Sequence, residues 1–329
     1  MIRNLRVSGR VVALGLPTMW GVLAVVFFAV GTGLVLHVRR TLLRELRQAR
    51  KVAAAAQDAL LRPMPPRIDG LNVAAAQLSA DRGSSVGGDL YEVVATDHGV
   101  RVVMGDVRGH GLAAIGTVAA VLGSFREAVH DEPELAGVLR RLDRALARYL
   151  RGRADGLVAE EFVTVLLLEI GRDGELRALN CGHPWPYRLL GTHVEPLARA
   201  DPLPPMGSFP LPPDLPAAPF GQLRPGEALF LFTDGAEDAR DARGRFFPLE
   251  AALAEALRDN SLTPQSILGA VFTSLLCHTS GSPTDDIALL ALRNERQPRR
   301  PSGARDSDTC GSAARARATT THPHPTTHR

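Results

Sequence analysis

From Val11 to Leu36 the chain runs 26 residues without a charged side chain, and no other stretch limits the fold as much. As a helix rising 1.5 Å per residue it would reach ~39 Å, beyond the ~30 Å hydrocarbon core of a bilayer. A buried core helix seldom lacks charge for so long. A cleaved leader fits poorly too: its apolar region is shorter, no Ala-x-Ala site follows, and Arg39 and Arg40 come next. Residues 1–38 are therefore predicted to be a transmembrane anchor that crosses at 11–36. Arg3, Arg6 and Arg10 precede the run, whereas Arg39, Arg40, Arg44, Arg47, Arg50 and Lys51 follow it. The heavier basic side predicts a single-pass protein of the cell membrane with the rest of the chain cytoplasmic.

Residues 39–62 read as a juxtamembrane helix. Thr41 to Leu61 is rich in Leu, Ala, Arg and Gln and contains no Gly or Pro. Leu43, Leu46, Ala53, Ala56 and Leu60 recur as in a narrow coiled-coil seam, which predicts a homodimer through residues 41–61. Pro63-Met64-Pro65-Pro66 ends the helix and opens a domain predicted over 63–295.

Charge divides the same way. Residues 1–62 hold ten Lys/Arg and two acids, and residues 296–329 hold seven Arg and two acids, so the overall +3 leaves −10 on 63–295. The basic residues flank an apolar run or sit in a tail, so no nucleic-acid partner is expected. The 296–329 tail, rich in Pro, Ser, Thr and Arg, is predicted to be disordered, and its His322 to Pro325 stretch reads as solvated. Cys181, Cys277 and Cys310 form no C-x-x-C pair, which argues against a zinc ribbon or a disulfide framework.

Between Leu71 and Leu292 strands and helices come in groups. Strands are predicted at 73–78, 90–96, 100–106, 162–170, 175–180, 187–190, 228–233 and 287–292. Helices are predicted at 112–130, 134–150, 249–259 and 264–278. The strands at 162–190 follow one another through short turns, as in an antiparallel meander. Runs of strands separated by pairs of helices predict an α+β layered fold.

Four acids stand where strands begin or end. Asp89 opens a strand after Gly87 and Gly88. Asp106 closes Val102-Val103-Met104-Gly105, and Asp234 closes Leu229 to Thr233 and precedes Gly235. Asp285 and Asp286 precede Ile287-Ala288-Leu289-Leu290. A carboxylate buried there must pair with or coordinate a cation. Hard oxygen donors suit Mg²⁺ or Mn²⁺ rather than zinc. The adjacent glycines let backbone approach an ion or a phosphate closely. By themselves these residues indicate an acidic, hydrolytic metal site.

The motifs VGGDLYEV (86–93), GDVRGHGLAA (105–114), NCGHPWPY (180–187), LFTDGAED (231–238) and TDDIALL (284–290) together resemble the bacterial SpoIIE-like (RsbU-type) branch of the metal-dependent PPM, or protein phosphatase 2C-type, serine/threonine phosphatases. The resemblance covers about residues 65–293, and residues 57–89 resemble the segment that in this branch often follows a sensor or signalling helix. It implies an α-β-β-α sandwich with two Mn²⁺ or Mg²⁺ ions between the sheets. By position, Asp106 would bridge both ions, Asp89 and the Val107 carbonyl would serve the second, and Asp234 and Asp285 the first, with Asp286 beside them. Hydrolysis would proceed by in-line attack of a water that the ions activate. The implied substrate is a phosphorylated anti-sigma-factor antagonist of bacterial partner-switching. His110 is a candidate for assisting the leaving group or contacting phosphate, whereas His183 reads as a structural turn histidine and Cys181 as a small apolar residue. Arg108 stands where the family frequently has a small or polar residue, and Trp185 where it commonly has proline or a small residue. A non-catalytic phosphoprotein-binding scaffold and a small-molecule phosphoester hydrolase are the competing readings. The 41–61 helix is further expected to couple to the helices at 112–150 and so to metal loading near Asp89.

Overall fold

A computed structural model describes residues 8–78, 87–109, 112–152, 161–197, 201–215, 217–259, 263–281, 283 and 285–297. The tail beyond residue 297 lies outside these, and so does His110.

Helix α1, Ser8–Leu60, is one continuous element. Nothing between Leu36 and Thr41 is Gly or Pro, so the backbone runs unbroken from the predicted anchor into the predicted juxtamembrane helix. Leu23–Leu46 of α1 is long and apolar enough to cross a membrane, at a mean hydropathy of 1.5. It is exposed throughout, unlike the core helix of a soluble domain.

Among the described residues, eleven strands follow in two antiparallel sheets. In chain order they are β1 (Arg67–Ile68), β2 (Leu71–Leu78), β3 (Asp89–Thr96), β4 (Gly99–Val107), β5 (Val163–Ile170), β6 (Glu175–Cys181), β7 (Tyr187–Leu190), β8 (His193–Pro196), β9 (Ala218–Gln222), β10 (Ala228–Phe232) and β11 (Ile287–Asn294). One sheet has the order β1-β2-β11-β10-β7-β8, the other β3-β4-β5-β6-β9. Helices α2 (Leu112–Asp131) and α3 (Leu135–Gly152) cover the second sheet. After the short α4 (Asp234–Asp238), α5 (Leu249–Ala256) and α6 (Pro264–His278) cover the first. The result is the α-β-β-α sandwich expected.

Strand periodicity builds three cores from two sheets. In β11, Ala288, Leu290 and Leu292 enter the intersheet core, while Ile287, Leu289 and Ala291 face α5 and α6. In β5, Leu166, Leu168 and Ile170 face between the sheets, while Val163, Val165 and Leu167 face α2 and α3. On α3 the buried residues Leu135, Val138, Leu139, Leu142, Leu146 and Leu150 recur every three or four positions, which gives the helix one apolar stripe.

The expected meander is cut short. β5 pairs with β6, but β7 pairs with β10 in the opposite sheet. Between them lies Gly182-His183-Pro184-Trp185-Pro186. Gly182 turns the chain at φ +69°, and the two prolines offer no N–H to continue a ladder. Trp185 stacks at a tilt on Phe220, 5.0 Å between centroids, and caps the intersheet core.

Two arginines tie the layers. Arg101, wholly buried in β4, donates through Nε to Glu169 (2.8 Å) and through its terminal nitrogens to the carbonyls of Val129, Glu132 and Pro133. It thereby pins the end of α2. Arg126 of α2 donates Nε to both Glu92 oxygens (2.9 and 2.7 Å) and Nη2 to the Leu60 carbonyl at the end of α1 (2.6 Å).

Candidate active site

The antiparallel register sets Asp89 opposite Asp106 at the ends of β3 and β4. The Val107 N–H donates to the Gly88 carbonyl at 3.1 Å, which closes this end of the hairpin. A Cβ at Gly88 would run into the Val107 carbonyl and lie 2.7 Å from Asp106 Oδ1. One at Gly87 would strike the Asp286 carboxylate, and one at Gly235 the Asp286 backbone carbonyl. Glycine at these positions is what lets the acid-bearing segments of the two sheets approach.

From the other sheet, β10 ends at Phe232, and Asp234 begins α4 rather than ending the strand. Thr233 occupies the N-cap of α4 but makes no side-chain cap. Its buried hydroxyl is used across the sandwich: Oγ1 donates to Asp89 Oδ2 (3.3 Å) and accepts from the Ala288 N–H (2.9 Å). The Asp286 N–H donates to Asp285 Oδ1 at 2.8 Å just before β11. Thr233 is not among the residues expected from sequence; its visible signal is a hydroxyl at the end of an apolar strand and beside an acid.

The acids raise one another's proton affinity. Burial, then repulsion from Asp106 and Asp286, holds the Asp89 carboxyl well above the usual carboxylate range, against the hydrogen bond from Thr233. Burial, then Asp234, Asp285 and Asp286, pushes Asp106 up to about 7. Burial and the neighbours Asp285 and Asp238 raise Asp234, and burial with Asp286 and Asp238 raises Asp285. Asp238 is thus part of the same electrostatic cluster. Among the described residues, no cationic side chain figures among the strongest influences on these four groups. Arg108, next to the site in sequence, lies over the Phe162 ring, 5.1 Å from its centroid.

Among the described residues no three or more His, Cys, Asp or Glu side chains close into a ready ion cage. The donor chemistry nonetheless fits a divalent cation. Hard oxygen donors from both sheets repel one another in a partly dry site, and positive charge between them would relieve that cost. Of the residues expected from sequence, Asp89, Asp106, Asp234, Asp285 and Asp286 share this one cluster, with Val107 adjoining it. His183, buried behind it, has its pKa pushed down to about 3 by burial.

The model of the Stage II sporulation protein E (SpoIIE) family matches residues 96–295. Among solved structures, the PP2C domain of SiaA from Pseudomonas aeruginosa superposes with a TM-score of 0.59 at 19% identity, over 77% of this chain and 98% of that one. The RsbU and RsbW domains of a Mycobacterium tuberculosis protein superpose with a TM-score of 0.54 at 22% identity, over 68% of this chain and 61% of that one. The PP2C phosphatase domain of SpoIIE from Bacillus subtilis, with a fragment of its regulatory domain, gives 0.54 at 16% identity over 69% and 64%. The chain thus spans less than two thirds of the last two. At these identities the likeness concerns the fold.

Proposed function

The chain belongs to the SpoIIE family of PPM-type phosphatases, and on that premise we propose that it is a metal-dependent serine/threonine protein phosphatase acting on a phosphorylated anti-sigma-factor antagonist. The observation that carries the reading is the cluster of mutually repelling aspartates drawn from both sheets, with no cationic side chain among their strongest influences from the described residues. Asp106 would serve two ions, Asp89 and the Val107 carbonyl one of them, and Asp234 and Asp285 the other, with Asp286 adjoining. Two Mn²⁺ or Mg²⁺ ions would supply an acidified water for in-line attack and offset charge developing on the phosphoryl oxygens. The protein's own part is to hold these carboxylates in place. Thr233 steadies Asp89, and the glycines at 87, 88 and 235 keep the approach open. His110, outside the described residues, is the candidate for contacting phosphate or assisting the leaving group.

The domain plan follows the same reading: an anchor over 1–38, a helix over 39–62 that pairs with a second copy through 41–61, the phosphatase over 63–295, and a basic tail. The exposed apolar length of α1 and the basic residues after it support a single-pass membrane protein with a cytoplasmic active site. The Arg126 bridge from the Leu60 carbonyl to Glu92, three residues from Asp89, supports coupling between α1 and the site.

A second reading, phosphoprotein binding without turnover, draws on one observation: no ion cage is closed among the described residues. Phosphate release from a phosphorylated antagonist by the full chain, with and without Mn²⁺, separates the two. Mn²⁺-dependent release supports the phosphatase, binding without release supports the scaffold, and equal turnover of nucleotides would favour a small-molecule hydrolase.

A further inference from the structure

His183 stands where the chain leaves one sheet for the other, and a single side chain fixes its backbone. Its N–H donates to Asn180 Oδ1 and its carbonyl accepts from Asn180 Nδ2, both at 2.8 Å. The ring is only 4% exposed. Its Nδ1 lies 3.1 Å from Thr164 Oγ1 on β5. That same oxygen accepts the backbone N–H of Asp106 at 3.2 Å. The hydroxyl proton of Thr164 has two acceptors in reach, His183 Nδ1 at 3.1 Å and the Asp106 carbonyl at 3.5 Å, and the ring nitrogen is the nearer. A neutral imidazole that accepts at Nδ1 carries its hydrogen on Nε2. Nε2 is buried and, among the described residues, makes no hydrogen bond.

A chain of polar groups therefore runs from the Asp106 backbone through Thr164 to the His183 ring. Four residues on, Tyr187 opens β7 and pairs with Phe230 of β10, so His183 links the strand that carries Asp106 to the sheet whose β10 leads into Asp234. The intersheet core around it is aliphatic and aromatic, and such contacts are non-directional. Hydrogen bonds, by contrast, weaken steeply when their geometry departs from line. An ion shared by acids of both sheets requires those acids at a fixed separation.

We propose that His183 and Thr164 are positioning residues that set Asp106 against Asp234, so that one divalent ion can be held by both sheets. The proposal rests on the reading of the aspartates as a metal site. Neither side chain touches substrate or ion; each acts through the placement of Asp106. A histidine that merely filled the turn would affect folding and leave ion affinity alone.

The test is Mn²⁺ titration calorimetry on the full chain in detergent micelles, well below its thermal midpoint. Thr164→Val keeps shape and removes the hydroxyl, Thr164→Ser keeps the hydroxyl, and His183→Gln removes the ring. Loss of a group that orients a metal ligand typically weakens metal affinity about 10- to 100-fold. That loss is expected in Thr164→Val and His183→Gln, with Thr164→Ser close to wild type. If wild type binds Mn²⁺ and either folded variant binds it equally well, the positioning role is overturned while the metal site stands. If wild type binds no Mn²⁺, the metal reading fails and takes the proposal with it.

Discussion

Gly88→Ala adds one carbon where there is no room for it. The new Cβ would meet the Val107 carbonyl oxygen, Asp106 Oδ1 at 2.7 Å and the Val107 nitrogen at 3.1 Å. Comfortable non-bonded contacts between heavy atoms lie near ~3.5–4.0 Å, so something must yield by roughly 1 Å. The backbone is held on that side: the Gly88 carbonyl accepts from the Val107 N–H, and Asp89 is in register with Asp106. The Asp106 carboxylate can rotate away from its partners, whereas the Val107 carbonyl can give only by a shift of backbone. Overpacking of this kind costs about 1–3 kcal/mol, and a domain of this size loses roughly 2–4 °C of midpoint per kcal/mol. Displacement of Asp106 should also weaken Mn²⁺ binding at least about tenfold. Thermal unfolding with and without Mn²⁺ reads both effects. A ligand at 100 times its Kd stabilises by about 2.7 kcal/mol, so Mn²⁺ should lift the wild-type midpoint and lift that of Gly88→Ala far less at the same concentration. A variant that keeps both the metal-free midpoint and the full Mn²⁺ shift would refute the steric argument.

Gly123 offers the opposite case: it lies inside α2 with nothing within 4 Å of a built Cβ. Gly123→Ala should therefore stabilise by about 0.5–1 kcal/mol in denaturant unfolding. Arg101→Met leaves Glu169 and three carbonyls without their donor, and should destabilise by about 3–5 kcal/mol in the same assay. In the metal-free protein the raised aspartates and the lowered His183 act on the pH profile in opposite directions. Asp106 titrates near 7 when folded against 3.8 when unfolded, so the folded state takes up its proton first and stability rises as pH falls from about 7 toward 4. His183 is held near 3 against 6.5, so the unfolded state takes up its proton first and stability falls as pH drops below 6.5. Asp106→Asn removes the first contribution and part of the repulsion that raises Asp89. It should be more stable than metal-free wild type at pH 8, with the gap closing toward pH 5; a gap independent of pH would contradict this.

The layered α+β plan was legible because its main strands are apolar runs of four or more residues with Gly or Asp at their ends. The acids were legible because Asp106 and Asp234 follow such runs, where a charge has no cheap structural explanation. What escaped had weak local signals. β1 is two residues long, β8 is a short, largely exposed edge strand, and β9 contains Pro219 and Gly221. The transfer of β7 to the opposite sheet depends on which strand it meets, and β10 lies about forty residues later in the chain. Arg101 sits in an apolar strand as though exposed, because the carbonyls that satisfy it come from 28 to 32 residues further on. Thr164 and Thr233 look like ordinary strand residues until the pairing of the sheets brings His183 and Asp89 to their hydroxyls.

Asp106→Asn compared with wild type tests the central claim most directly. The measurement is inorganic phosphate released from a phosphoserine antagonist protein by the full chain in Mn²⁺. The account predicts release by wild type that a chelator abolishes, and a fall of at least about 100-fold in Asp106→Asn, in line with the loss of a group that stabilises transition-state charge. Equal rates in the two proteins, or no release by wild type with either Mn²⁺ or Mg²⁺, would contradict it.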